Sequence, residues 1–229
     1  RVTPSILPRI VALVAATMLL ALAAMMLVAF RGPPPHARPM FLTEAAQLLR
    51  GGSVMHVCLD QTVSHVRTYY DTVFETLVTS THLEDAGLTH AEIDKNRSIR
   101  AYAPSGFTSS KLRQAVKIDS DAGTRPTLLI VEGLDLAGVD REELMDIRAL
   151  AEELAAEVWI SAPADGEMVR ELPTALARFE DLVSVALALE PGRGTSDPVA
   201  LRALKDHDNP DTSALHVALD PKTLLLIRN

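Results

Sequence analysis

The chain is poor in the residues that would make several functions easy to read. Cys58 is the only cysteine among 229 residues, which excludes an intrachain disulfide and suits a reducing compartment. Basic residues do not predominate. The formal net charge is -8, so the clustered Lys and Arg that grip a nucleic-acid backbone are missing, and nucleic acid is not an expected partner. No Gly-x-Ser-x-Gly elbow occurs, so a serine nucleophile is unsupported. Gly192-Arg193-Gly194 carries too few glycines for a dinucleotide fingerprint and reads as a turn.

Charge is also absent from residues 10–30, IVALVAATMLLALAAMMLVAF, which hold no Gly or Pro either. About 20 such residues suffice for a helix to cross a bilayer. Arg9 and Arg31 flank the run at both ends, so loop charge selects no orientation. Hydropathy favours a hydrophobic N-terminal helix over residues 1–31, anchoring a cytoplasmic domain to the inner or plasma membrane. The competing reading is a buried helix followed by a core strand over Met26–Phe30. Residues 32–42 form a Pro-rich linker, because the four prolines in RGPPPHARP are incompatible with helix and sheet.

The remainder, residues 43–229, alternates strand and helix. Thr127-Leu128-Leu129-Ile130-Val131 is an unbroken apolar or β-favouring run that ends on Glu132 and Gly133. Such a run, without polar alternation, reads as a central strand of a parallel sheet covered on both faces. Its acid is expected at the carboxyl edge, where open α/β folds bind ligands. Val54–Leu59 is a second strand ending on Asp60. Thr62 or Ser64 opens a helix with Val63, Val66, Tyr70, Phe74, Leu77 and Val78 at helical spacing. Thr79–Leu88 reads as a connection, Ala91–Ile99 as a polar helix, and Ser109 or Ser110 through Val116 as another. Asp140 and Glu143 make a capping-box pattern for a helix with Leu144, Ile147 and Leu150 inward. Val158–Ser161 and Leu182–Leu189 read as strands, with Leu172–Arg178 a brief helix between them. Val199–Lys205, Leu215–Leu219 and Thr223–Ile227 follow as short strands joined by turns. The order predicts an α/β fold with a mainly parallel sheet flanked by helices and a C-terminal antiparallel meander.

His56, Cys58 and Asp60 alternate and so share one face of their strand. With no second His/Cys pair nearby in sequence, that face reads as dry core rather than a metal site.

From residue 53 to residue 228 the element order and strand-end motifs resemble the RecA-like P-loop ATPase superfamily. The nearest branch holds DnaB-type replicative helicases and KaiC-type proteins. Val54-Met55-His56-Val57-Cys58-Leu59-Asp60 is similar to the strand whose terminal acid polarises the attacking water. The strand to Glu132 resembles a Walker B strand, whose acid helps hold magnesium. Ser161, after Val158-Trp159-Ile160, occupies the place of a polar sensor. The segment carrying Lys205 and His207 resembles the closing meander, which in that family reaches the nucleotide of a neighbouring subunit. The resemblance implies ATP and Mg2+ bound between the subunits of a homo-oligomer, with Asp60 and Glu132 as the catalytic acids and Glu132 on the metal side.

Three departures argue against ATP hydrolysis. The phosphate loop would be RGPPPHARPMFLT, with one glycine (Gly32), no Lys-Ser or Lys-Thr pair, and Arg38 as a weak substitute for the missing lysine. Prolines remove backbone N–H donors that such a loop needs. Glu132 stands where an Asp is usual, and His207 where an Arg is frequent, a weaker phosphate partner. The residues therefore predict a degenerate nucleotide site, or else a membrane-anchored, non-catalytic protein-interaction module that keeps the fold.

Overall fold

The structure is a computed structural model, and it describes residues 25–30, 52–163, 170–190, 197–207, 217–219 and 226–228. Its strands are β1 (Met25–Phe30), β2 (Val54–Cys58), β3 (Arg97–Ala101), β4 (Leu128–Glu132), β5 (Glu157–Pro163), β6 (Val185–Glu190), β7 (Val199–Asp206), β8 (Val217–Leu219) and β9 (Leu226–Arg228). They form one sheet in the order β3-β2-β4-β5-β1-β6-β7-β8-β9. The first six in that order run parallel, and β7, β8 and β9 are antiparallel additions.

The helices are α1 (Val63–Thr81), α2 (Ala86–Asn96), α3 (Ser109–Asp121), α4 (Arg141–Leu154) and the short α5 (Thr174–Ala177). They cover both faces. On one, Leu112 and Ala115 of α3 and Leu144 and Ile147 of α4 pack with Met55, Val57, Leu129 and Val131. On the other, Val66, Tyr70 and Val73 of α1 pack on Cys58, and Ile93 of α2 lies with Val54 and Ile130. A sheet covered twice needs no polar alternation, and all five residues of β2 and of β4 are buried.

Several expectations are corrected. The hydrophobic helix over residues 10–30 does not extend to its expected end. Met25–Phe30 is a strand paired on both sides, with β5 and β6, as in the competing core-strand reading. Residues 10–24 lie outside the described residues. Among the described residues no helix is long and apolar enough to cross a membrane. Helix Ala91–Ile99 is displaced: α2 starts at Ala86 and ends at Asn96, and Arg97–Ala101 is a strand. The supposed connection Thr79–Leu88 is largely the end of α1 and the start of α2. Helix α3 continues to Asp121, and the strand expected from Leu182 begins at Val185.

The capping box also takes another form. Asp140 is the N-cap of α4 but makes no side-chain cap bond. Glu143 reaches across to accept from the Ser109 N–H at 2.5 Å, and Asp146 accepts from the Ser109 hydroxyl at 3.1 Å. The acids of α4 thus satisfy the orphan donors of α3, binding the two helices together.

Candidate functional site

The connection leaving β2 runs outward to β3, whereas the one leaving β4 runs the other way to β5. Neighbouring strands whose chains depart in opposite directions leave a crevice at their carboxyl ends, the usual ligand position of open α/β sheets. Asp60 and Glu132 flank that crevice. Cys58 is in register with Glu132, and the Leu59 N–H donates to the Glu132 carbonyl at 3.0 Å.

Gly133 sets the geometry just past β4. Its φ is +76°, and a β-carbon built there would lie 2.8 Å from Cγ of Asp60. Asp60 therefore rests its carboxylate on the bare α-carbon of Gly133, a close approach that only glycine permits. The Gly133 N–H points at Ser161 Oγ, 3.4 Å away in the carboxyl half of β5. Asp60, Gly133 and Ser161 thus stand in a row along the rim of three adjacent strands.

The Glu132 side chain is buried, with 9% of it exposed. Its Oε2 lies 3.0 Å from Nε2 of His56, and Nδ1 of His56 lies 2.5 Å from the Tyr70 hydroxyl. The two rings meet edge to face. Tyr70 projects inward from α1 because it shares a stripe with Val66 and Val73. The Arg97 guanidinium covers its ring at 4.5 Å and is paired with Asp94 at 2.6 Å. Oε1 of Glu132, by contrast, has no hydrogen-bond partner among the described residues. Burial pushes the Cys58 thiol up to about 11, with the charges of Glu132 and then Asp60 adding to the shift. The thiol is fully buried and donates to the Arg100 carbonyl at 3.3 Å.

Two carboxylates on one rim can serve a hard cation that keeps most of its waters and takes further oxygens from a phosphate, which is how magnesium is commonly held. The orphan Oε1 fits that use. Among the described residues no cluster of three or more His, Cys, Asp or Glu side chains is arranged around a metal, so protein oxygens would supply only part of a shell.

The other expected site residues are not assembled here. Lys205 donates to the Glu180 carbonyl at 2.5 Å, and His207 Nδ1 is 3.0 Å from Asp206. Asp206 is in register with Val185, the first residue of β6. Lys205 and His207 therefore sit at the amino edge of the parallel sheet, opposite the rim that carries the acids. Gly32 and Arg38 lie outside the described residues.

The Tyr70–His56–Glu132 chain escaped the sequence reading, which took the His56 face as dry core. The available signal was a histidine and a tyrosine inside otherwise apolar stripes, since buried polar groups require partners. Which partners they find depends on α1 and β4 being folded against β2. No family model matches this chain, and no curated protein is significantly similar to it.

Proposed function

We propose that the chain is a RecA-like nucleotide-binding module that holds ATP with magnesium at the carboxyl rim between β2 and β4, with hydrolysis slow or absent. The observation that carries this reading is that Asp60, two residues past β2, and Glu132, the last residue of β4, lie at the carboxyl ends of adjacent parallel strands at a switch in connection direction. Magnesium, when bound, supplies charge neutralisation at the phosphates. Glu132 offers Oε1 from a buried, low-dielectric position, and exposed Asp60 orients water beside it. Ser161 adds a hydroxyl from β5. Slow turnover follows from the sequence: a loop of RGPPPHARP composition presents few N–H donors to phosphates.

Lys205 and His207 fit this reading as contacts to a neighbour. Residues on opposite edges of one protomer meet across a head-to-tail interface, so an oligomer of that type brings the amino edge of one copy to the rim of the next. Their present partners, Glu180 and Asp206, would exchange on assembly.

Titrating Mg-ATP while following the melting temperature tests the reading. A ligand at 100 times its dissociation constant stabilises the native state by about 2.7 kcal/mol, and Glu132→Gln should remove most of that gain. A melting temperature unmoved by millimolar Mg-ATP overturns nucleotide binding and favours the non-catalytic interaction module. Fractionating the full chain against a version that starts at Met25, and so keeps all of β1, then decides whether the segment before it attaches that module to membranes.

A further inference from the structure

The two oxygens of the Glu132 carboxylate have unequal surroundings: Oε2 faces His56 and Oε1 faces no described donor. A buried side chain whose only role is packing and satisfaction would match both, because an orphan acceptor in the core costs free energy. The asymmetry has a source in the neighbouring ring. A carboxylate oxygen opposite a bare imidazole nitrogen would set lone pair against lone pair, so the hydrogen belongs on Nε2. In a neutral ring Nδ1 is then an acceptor, and the Tyr70 hydroxyl, 2.5 Å from it, is the donor it needs.

We propose that His56 and Tyr70 are positioning residues for Glu132: Tyr70 donates to Nδ1, Nε2–H donates to Oε2, and Oε1 is thereby kept for a divalent cation or one of its waters. The inference rests on the magnesium–nucleotide reading above. It assigns the pair a role like that of the outer partners of metal ligands, which fix ligand orientation and whose loss typically lowers metal affinity 10–100-fold. Tyr70 is itself held in place by the Arg97 guanidinium over its ring and by Asp94 behind Arg97. The chain of contacts therefore runs from the α1–α2 layer through β2 to the rim acid.

Nitrogen-15 NMR of the full chain, with histidine labelled, reads the His56 tautomer directly. Mg-ATP titrations of the wild type, His56→Leu, His56→Gln and Tyr70→Phe read the consequence. The expected results are hydrogen on Nε2, affinity reduced about 10–100-fold in His56→Leu, and recovery of most of it in His56→Gln, whose amide N–H can replace the donor. Tyr70→Phe removes one hydroxyl only, so it tests the pair even if His56→Leu fails to fold; its affinity should fall in the same direction. Hydrogen on Nδ1, or wild-type affinity in both Tyr70→Phe and a folded His56→Leu, overturns the positioning role alone. A wild type that binds no Mg-ATP overturns the nucleotide reading and the positioning role with it.

Discussion

The carboxylate of Asp60 lies against the α-carbon of Gly133, so close that a β-carbon there would sit 2.8 Å from Asp60 Cγ and 2.9 Å from Oδ1. This contact joins the ends of β2 and β4, and it makes the rim intolerant of any side chain at position 133.

Gly133→Ala should therefore destabilise the fold for two separable reasons. A left-handed φ of +76° strains any L-residue by about 1–2 kcal/mol, and the methyl collides with Asp60. Urea denaturation should show a loss of about 2–3 kcal/mol, within the ordinary range for a strained and crowded site. Adding Asp60→Ala should recover the part of the collision due to the carboxylate and leave the strain, together with a residual contact because the Asp60 β-carbon stays 3.1 Å away. Equal stability of Gly133→Ala and wild type would contradict the contact.

Cys58 should be inert in the native state and become a stability determinant at high pH. Its folded pKa is raised from 9.0 to about 11 by burial first, and then by Glu132 and Asp60. Between those values the unfolded chain has lost the thiol proton that the folded chain retains. Stability is thus fully present below pH 9 and declines as pH rises through 11, by about 2–3 kcal/mol in total. Alkaline denaturation curves of wild type and Cys58→Ala should diverge in that window. A thiol-reactive disulfide reagent should label Cys58 only after unfolding.

Asp181 should titrate below its ordinary 3.8. The hydrogen bond from Arg141 is the main cause, with smaller contributions from the Asp181 backbone and from the charges of Arg141 and Lys205. A depressed carboxyl pKa contributes stability above the unfolded value, lost as pH falls through the folded one. Carboxyl NMR titration should show the depression, and Arg141→Met should return Asp181 most of the way to 3.8.

Arg178 should hold the loop that follows Glu132. Its guanidinium donates to the Leu136 carbonyl at 3.1 Å and the Val139 carbonyl at 2.5 Å while lying over Phe179 at 4.3 Å. Arg178→Met keeps the stem and removes both donors. It should cost about 1 kcal/mol and speed amide hydrogen exchange across residues 133–140, leaving β4 protected. Unchanged exchange in the loop would show that Arg178 does not restrain it.

Much of the architecture was legible before folding was considered. Leu128–Val131 is apolar without alternation because both faces of β4 are covered, and Glu132 lands where a strand-ending acid should. The stripe of α1 was legible too, although the buried residues are Val66, Tyr70 and Val73, while Val63 is 41% exposed. Strand β3 was not. Arg-Ser-Ile-Arg-Ala lies at the sheet edge and is only partly buried, so it carries neither the apolar run of a central strand nor a regular period. Residues 25–30 were ambiguous for another reason: hydropathy records exclusion from water, not whether lipid or sheet provides it.

The amino-acid sequence by itself determined the fold class, the parallel core with its antiparallel extension, and the placement of Glu132 at the end of β4 and of Asp60 just past β2, because these follow from local hydrophobic patterning and from where each pattern stops. Strand β5 runs two residues beyond the Ser161 expected to end it. Only the tertiary structure decided that Met25–Phe30 fills the place between β5 and β6, that Lys205 and His207 lie on the edge opposite the acids, and that Glu132 is held through His56 by Tyr70. Those outcomes depend on strand order and on contacts between residues 14 and 76 positions apart, which form only once the helices have closed over the sheet.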